Sequence, residues 1–454
     1  MLKKTAEISG VFRNIKREES FKNKHKIGQN SFTRDRKLGF DKMMTMMIKK
    51  SNKSLQNNIN DTQLALEEDI TISNSAYTQA RAKLNYTAFE EFAQMARDIF
   101  YKDDEYEKYK GFRLLAIDGS VTTLPNTDDV KKEFNPMKVR CQIKEYAKDV
   151  SQARVSCLFD VLNNIAIDSS ITNKNKSEDN NLEAYDERTL AMDHLQCCDE
   201  NDLTIMDRGY PSFELFATVY NKTNILCRLR KNIFSKAKSL FDKHSEIKDV
   251  ILDINAPKHL RDILKLAGIP IKMKLRFIQV ILDNGEVEVL VTNVLDKNIL
   301  QTSDFKELYS LRWGIETYFD LIKNRLGLEN FTGQSALAVK QDFFATIFLT
   351  NYESAMTYDI NEELKEKTKD NKYTQKVNKA VSFNIIKHKV FDLFYSDKPL
   401  DEMLELMEKL FLTNTIVIRP NRKSKPRLDK DIHKSTIATN SINFLKRKKK
   451  NVGN

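Results

Sequence analysis

The sequence predicts an α/β protein, on three observations. Short apolar runs close on an acid and a glycine, Leu114–Ile117 before Asp118-Gly119 and Leu203–Met206 before Asp207-Arg208-Gly209, and read as buried strands. Between them lie stretches with apolar residues at helical spacing, such as Leu190, Met192 and Leu195. Ile271–Phe277 alternates strictly, and an Asp283-Asn284-Gly285 turn joins it to Val287–Thr292, the signature of a hairpin. A length of 454 residues suggests two to four domains.

Taken in order, residues 1–34 are polar, basic and without periodicity, so an extended or flexible arm is expected. From Asp35 to about Leu66 a helical stripe returns, with Phe40, Met43, Met44 and Met47 as core. Ser75 is placed to cap a helix over Ala76–Leu84, and a second helix follows from about Thr87 to Phe100. The first presents Gln79, Arg81 and Lys83, which suit base edges and phosphates; an ordinary surface helix is the alternative.

Phe112–Ile117, Val121–Leu124 and Arg154–Val161 read as consecutive strands, and Asn163-Asn164 turns the last into Ile165–Asp168. Residues 169–180 read as a loop and Glu183–Leu195 as a helix. Strand Leu203–Met206, helix Ser212–Tyr220 and strand Asn224–Leu229 follow. Residues 231–300 are strand-rich, and within them Lys272, Lys274 and Arg276 share one strand face. That face either tracks a phosphate backbone or is the wet side of an antiparallel sheet. A long helix is expected over about 335–356 and two more over 373–415. The apolar positions of that pair serve either a dimer contact or packing on the core. Pro420–Pro426 opens a basic tail.

The net charge of +11 is uneven. Residues 1–60 hold 15 Lys or Arg against 5 acids, residues 416–454 hold 12 against 2, and the middle is acidic. Basic ends of this kind are footprints for nucleic acid, and solvated tails are the alternative. The five cysteines are odd in number and lack ligand spacing, as reduced cytosolic thiols do. The apolar stretch Phe343–Leu349 is too short for a membrane span, and no apolar core of a signal peptide follows Met1-Leu2-Lys3-Lys4.

The most informative segment is Glu307–Lys323, where Tyr309, Arg312, Glu316 and Lys323 follow the spacing Tyr-x2-Arg-x3-Glu-x6-Lys. On one continuous helix, at about 100° per residue, they fall within roughly 60° of each other. A carboxylate flanked by two cations and a phenol suits a metal-binding acid beside groups that grip phosphate. Asp118 and Asp207, each at a strand end, are its candidate partners, because ligands gather outside strand ends in α/β sheets. Three such carboxylates can hold two Mg²⁺ ions for phosphodiester chemistry.

With these motifs the chain resembles DDE transposases of the insertion-sequence-4 family, whose signature is the Tyr-Arg-Glu-Lys helix. The first acid of that family stands in Asp-Gly-(Ser/Thr), here Asp118-Gly119-Ser120. The second stands in Asp-x-Gly-(Tyr/Phe), here Asp207-Arg208-Gly209-Tyr210. The resemblance spans about 70–350. It implies an RNase H-like catalytic core with a β-rich insertion, flanked by helical N- and C-terminal regions. The divisions would be 1–105 (basic arm and helical DNA-binding region), 106–230 and 301–358 (two parts of the core), 231–300 (insertion) and 359–454 (C-terminal helices and tail).

It further implies that Asp118, Asp207 and Glu316 hold two Mg²⁺ ions, for which Mn²⁺ can substitute, and that Tyr309, Arg312 and Lys323 hold DNA. The activity implied is cleavage at the ends of a bacterial insertion sequence and strand transfer into target DNA. The partners are end and target DNA and a second protomer, in the cytoplasm at the nucleoid. A nuclease without strand transfer and a silent DNA-binding regulator remain open alternatives. One departure concerns Trp. Some members stack a flipped base on a Trp in the strand before the signature helix, whereas here Glu286–Thr292 has no aromatic. The single Trp, Trp313, lies in the helix and is expected in the core.

Overall fold

Ile8 and Phe12 stand one helical turn apart, with Thr5 and Ser9 completing a stripe that is wholly buried. Residues 3–15 therefore form a helix packed into the protein, in the computed structural model that describes residues 2–34, 37–51, 53–67, 71–134, 137–138, 149–174 and 185–419. This helix, α1 (Lys3–Ile15), stacks Phe12 on Phe348, ring centroids 4.5 Å apart, and Ser9 Oγ lies 2.7 Å from Tyr352 Oη. It is followed by α2 (Glu19–His25). The expected flexible arm is thus part of the core. Its periodicity is hidden because half of the buried stripe is hydroxyl residues. Its cations are spent internally: Arg13 donates to the Leu393 and Lys398 carbonyls at 3.0 and 2.8 Å, and Arg17 meets Asp397 at 2.6 Å.

The Met-rich α3 (Phe40–Ile48) is buried as expected, and α4 (Leu55–Leu66) follows. Next, α5 (Asn74–Arg81) is capped by Ser73, whose side chain accepts the Ala76 N–H, rather than by Ser75. The sixth helix is α6 (Thr87–Tyr101). Gln79 is exposed and Lys83 half-buried, but Arg81 is only 4% exposed and does not face DNA. Its guanidinium binds Asp342 at 2.7 Å, Gln341 Oε1 at 2.8 Å and the Ala338 carbonyl at 2.8 Å, so α5 is pinned to a later helix by the side that looked free.

The sheet begins with β1 (Arg113–Thr123), one strand where two were expected. Gly119 does not break it, because β2 (Gln152–Asp160) continues the antiparallel pairing through Asp118↔Cys157 to Thr123↔Gln152. Between them lies α7 (Asp128–Phe134). The edge strand β3 (Ile165–Asn173) runs five residues beyond Asp168 into the expected loop. The next elements are α8 (Glu187–His194), β4 (Asp202–Met206), α9 (Phe213–Val219) and β5 (Asn224–Arg228). The order β3-β2-β1-β4-β5, with β4 and β5 parallel to β1, is an RNase H-like core.

The strand-rich segment adds β6 (Asp249–Asn255), α10 (Arg261–Leu266), β7 (Lys272–Ile281) and β8 (Val287–Thr292). Its strands extend the same sheet, β8 pairing antiparallel with β5, to give eight strands. Lys272 and Lys274 are exposed, but Arg276 on the same face is 0% exposed. It binds Asp249 at 2.6 Å and the Leu300 carbonyl at 2.7 Å beneath the Phe305 ring, so it cannot track a phosphate backbone. The face is wet at one end of β7 and covered at the other.

The covering helix is α11 (Asp304–Ser310), followed by α12 (Trp313–Asp320) and a wider turn over Leu321–Arg325. The opposite sheet face is covered by α6 and α13 (Ala336–Lys367), whose Asn351 side chain bonds both the N–H and the carbonyl of Ala166 in β3. Three helices follow, α14 (Lys379–His388), α15 (Val390–Phe394) and α16 (Asp401–Thr413). Val390, Leu393 and Phe394 are buried, whereas Leu406 and Leu410 are exposed. The basic tail from 420 onward lies outside the described residues. No helix among the described residues is long and apolar enough to cross a membrane.

Arg81→Ala leaves the Asp342 carboxylate buried with weaker compensation from Lys50 at 3.9 Å. It is expected to lower the free energy of urea unfolding by about 3 kcal/mol, as removal of one partner of a buried pair does. A loss below about 1 kcal/mol would show that Arg81 does not pin α5.

Candidate active site

In the parallel pair of β1 and β4, Ala116 is in register with Ile205. Two residues further on, the same register sets Asp118 beside Asp207. Each carboxylate is oriented by a nearby backbone N–H. Gly119 donates to Asp118 Oδ1 at 2.8 Å, and Gly209 donates to Asp207 Oδ1 at 2.5 Å. A Cβ at 209 would lie 2.9 Å from Asp207 Oδ1, so a side chain there would push this carboxylate from its place.

Glu316 is brought to this strand end by α12, and Arg312 is the link. Its guanidinium lies 2.7 Å from Glu316 Oε1 and 3.8 Å from Asp118 Oδ2, packs over the Tyr309 and Trp313 rings, and leaves a buried Nε without a partner. The segment is not one regular helix. At Leu311, Arg312, Gly314 and Ile315 the backbone bonds tighten to the third residue back, and the turn widens again after Asp320. Arg312, Glu316 and Lys323 still serve one site. Lys323 Nζ donates to the Val121 carbonyl at 2.6 Å and to Ser120 Oγ, just beyond Asp118. Burial lowers the Lys323 pKa, opposed by Glu329.

Tyr309 sits one layer deeper, 8% exposed, in the apolar cluster under the sheet with Leu226, Ile278 and Leu290. Burial raises its pKa, and its ring lies beside the Arg312 guanidinium. Trp313 is 60% exposed, which corrects the expectation that it packs in the core: the tightened turn before it aims its ring outward beside Arg312. Sequence reasoning named Tyr210 only as a motif letter and missed Glu187 and Arg154. Tyr210 is buried with an unpartnered hydroxyl, and Arg154 donates to Glu187 at the start of α8. Nothing in the sequence links α8 to Asp118, because that contact crosses the sheet.

The donor set suits a hard divalent cation, being carboxylate oxygens alone. Burial pushes Asp118 up to about 6; the Gly119 N–H and Arg312 pull it down, and Glu316 and Asp207 push it up. That is the strain a nearby cation relieves. Among the described residues no three acid, His or Cys side chains stand close enough to coordinate one ion as they are. Instead the Arg312 guanidinium is the cation between Asp118 and Glu316.

An RNase H-like sheet with one acid inside its central strand, a second just past the neighbouring parallel strand and a third on a covering helix suits an enzyme of nucleic-acid phosphodiester chemistry. The family model of the transposase DDE domain matches residues 109–352, and the chain belongs to that family of DNA-recombining enzymes. Among solved structures it is similar to a piggyBac transposase synaptic complex with hairpin DNA, at 12% identity and a TM-score of 0.42, covering 96% of this chain and 86% of that one. No curated protein matches it by sequence.

Because the folded Asp118 titrates near 6 rather than at the ordinary 3.8, the native state binds the extra proton between these values. The carboxylate therefore costs stability progressively as pH rises from about 4 to about 6, and fully above. With chelator present, Asp118→Asn is expected to be more stable than the parent at pH 7.5, on the order of 2 kcal/mol in urea unfolding. The two should converge near pH 3.5. A variant less stable at pH 7.5 would contradict the strained-acid account.

Proposed function

We propose that the protein is a transposase of the insertion-sequence-4 type, with Asp118, Asp207 and Glu316 as the residues that hold its divalent metal, Mg²⁺ or, in its place, Mn²⁺. What supports this reading is the parallel register of β1 and β4, which, carried two residues on, brings Asp118 level with Asp207, together with Arg312 lying between Asp118 and Glu316. When bound, the metal pair would activate the attacking hydroxyl and stabilise the leaving oxygen.

The remaining work falls to side chains of this chain. Asp118 and Asp207, oriented by Gly119 and Gly209, present oxygens on a rigid sheet. Arg312 neutralises Glu316 in the resting site and, once released from it, offers a planar fork to a phosphate. Lys323 holds the backbone of β1 beyond Asp118 and carries positive charge to the same rim. No side-chain nucleophile is needed, since water and then a DNA 3′-hydroxyl attack.

The substrates on this reading are the ends of a bacterial insertion sequence and a target duplex, handled by a homodimer on DNA in the cytoplasm. Residues 106–230 and 301–358 would form the catalytic core around the added strands. The exposed Gln79, Lys272 and Lys274, and the half-buried Lys83, stay as candidate DNA contacts, whereas Arg81 and Arg276 are withdrawn.

Replacing Asp118, Asp207 or Glu316 by Ala should abolish cleavage of a labelled element end in Mg²⁺, by roughly a thousandfold or more, while end binding in gel shift stays within a few-fold. A precut end should be joined to target DNA by the parent protein alone. Near-normal cleavage by any one variant removes that residue from the site. Cleavage without joining would make the protein a nuclease.

A further inference from the structure

Gly119 lies inside β1, directly after Asp118, and its backbone has no need of glycine's freedom. Its lack of a side chain serves a neighbour. A Cβ at 119 would stand 3.2 Å from Glu187 Cγ and 3.5 Å from both Cδ and Oε1 of that residue. The Glu187 carboxyl, carried by the first turn of α8, therefore lies against Gly119, the residue that follows Asp118 in β1, with its own side chain half-exposed.

Arg154 on β2 donates to Glu187 Oε1, as Arg312 donates to Glu316. Two glutamates, Glu316 and Glu187, thus approach this stretch of β1, each neutralised by its own guanidinium, and each guanidinium keeps a buried Nε without a partner.

A second observation points to a ligand here. Tyr210 is 2% exposed, and its hydroxyl has no hydrogen-bond partner. Besides burial, the charges that raise its pKa are Asp118, Glu187 and Asp207, in that order, which places the hydroxyl among these acids. A buried neutral phenol must donate its proton to something. An oxygen held by a cation among the carboxylates meets that need.

We propose that Glu187 is a fourth carboxylate of the acid site and shares in holding its divalent cation. This rests on the reading of Asp118, Asp207 and Glu316 as the metal-holding set. On it, Arg154 competes with the cation for Glu187, and Gly119 is the residue that admits the carboxyl to the site.

The test is calorimetric titration of the full-length protein with Mn²⁺ alone, without DNA. Glu187→Gln should weaken Mn²⁺ binding at least about tenfold, the loss typical of removing even a group that only orients a ligand. Asp118→Asn serves as the control and should also weaken it. If Asp118→Asn weakens binding and Glu187→Gln does not, Glu187 is only the ion-pair partner of Arg154 and the proposal fails, while the acid site stands. If Asp118→Asn binds like the parent, the acid-site reading fails and the proposal falls with it. Should Glu187→Gln not fold, as judged by its thermal unfolding, Arg154→Gln decides: freeing Glu187 should tighten Mn²⁺ binding, and unchanged or weaker binding would overturn the proposal.

Discussion

Like charges held together against their repulsion set the terms for the rest of the site. Parallel pairing of β1 and β4 runs to within two residues of Asp118 and Asp207 and holds their backbones near each other, and α12 adds Glu316. Burial then raises the cost of the Asp118 charge, and its upward shift records it. Arg312 makes the arrangement tolerable at rest. Its position between Asp118 and Glu316, between aromatic rings and with one nitrogen unpartnered, is that of a placeholder rather than of a saturated structural pair. Arg81 shows the contrast. Its guanidinium makes four hydrogen bonds, to Asp342, Gln341, Thr332 and a carbonyl, and each of its three nitrogens has a partner.

Those two arginines also show why charge in a sequence does not translate directly into a DNA footprint. The first 60 residues carry a large share of the positive charge, with 15 Lys or Arg against 5 acids. Yet Lys4, Arg13, Lys16 and Arg17 are used to fasten α1 to the rest of the chain, through the Phe100 and Glu105 carbonyls, the Leu393 carbonyl, Thr45 and Asp397. A cation already bonded to carbonyls releases little counterion on meeting a phosphate. Affinity for DNA is better sought where cations are exposed, as at Lys272 and Lys274.

The parts of this fold that were legible in sequence are those set by local pattern. The apolar runs ending at Asp118 and Asp207 are strands, the Asp283–Gly285 turn joins a hairpin, and the Met stripe of α3 is core. Arg312, Glu316 and Lys323 meet near Asp118 although their helix is irregular, because tightening before Trp313 and widening after Asp320 leave the side of approach unchanged. The parts that were not legible depend on what covers a face. Arg81, Arg276 and Trp313 are polar or aromatic residues whose exposure is decided by α13, α11 and a tightened turn. The buried stripe of α1 is half hydroxyl and shows no apolar period. Glu187 reaches Gly119, next to Asp118, from a helix whose sequence gives no sign of it.

The added strands bear on the site through the same covering logic. The first helix of the signature segment, α11, rests Phe305, Leu308 and Tyr309 on an apolar surface that includes Leu226, Ile278 and Leu290. Leu226 belongs to β5, but Ile278 and Leu290 belong to β7 and β8, outside the five-stranded core order. The seat of α11 is thus built partly from the inserted segment. Arg276 reinforces it from below by stacking under Phe305 and reaching the Leu300 carbonyl in the approach to α11. Since α11 leads directly into Arg312 and Glu316, the position of the third acid is set by the extended sheet. A five-stranded core alone would supply only part of that seat, through Leu114, Leu203, Ile205 and Leu226.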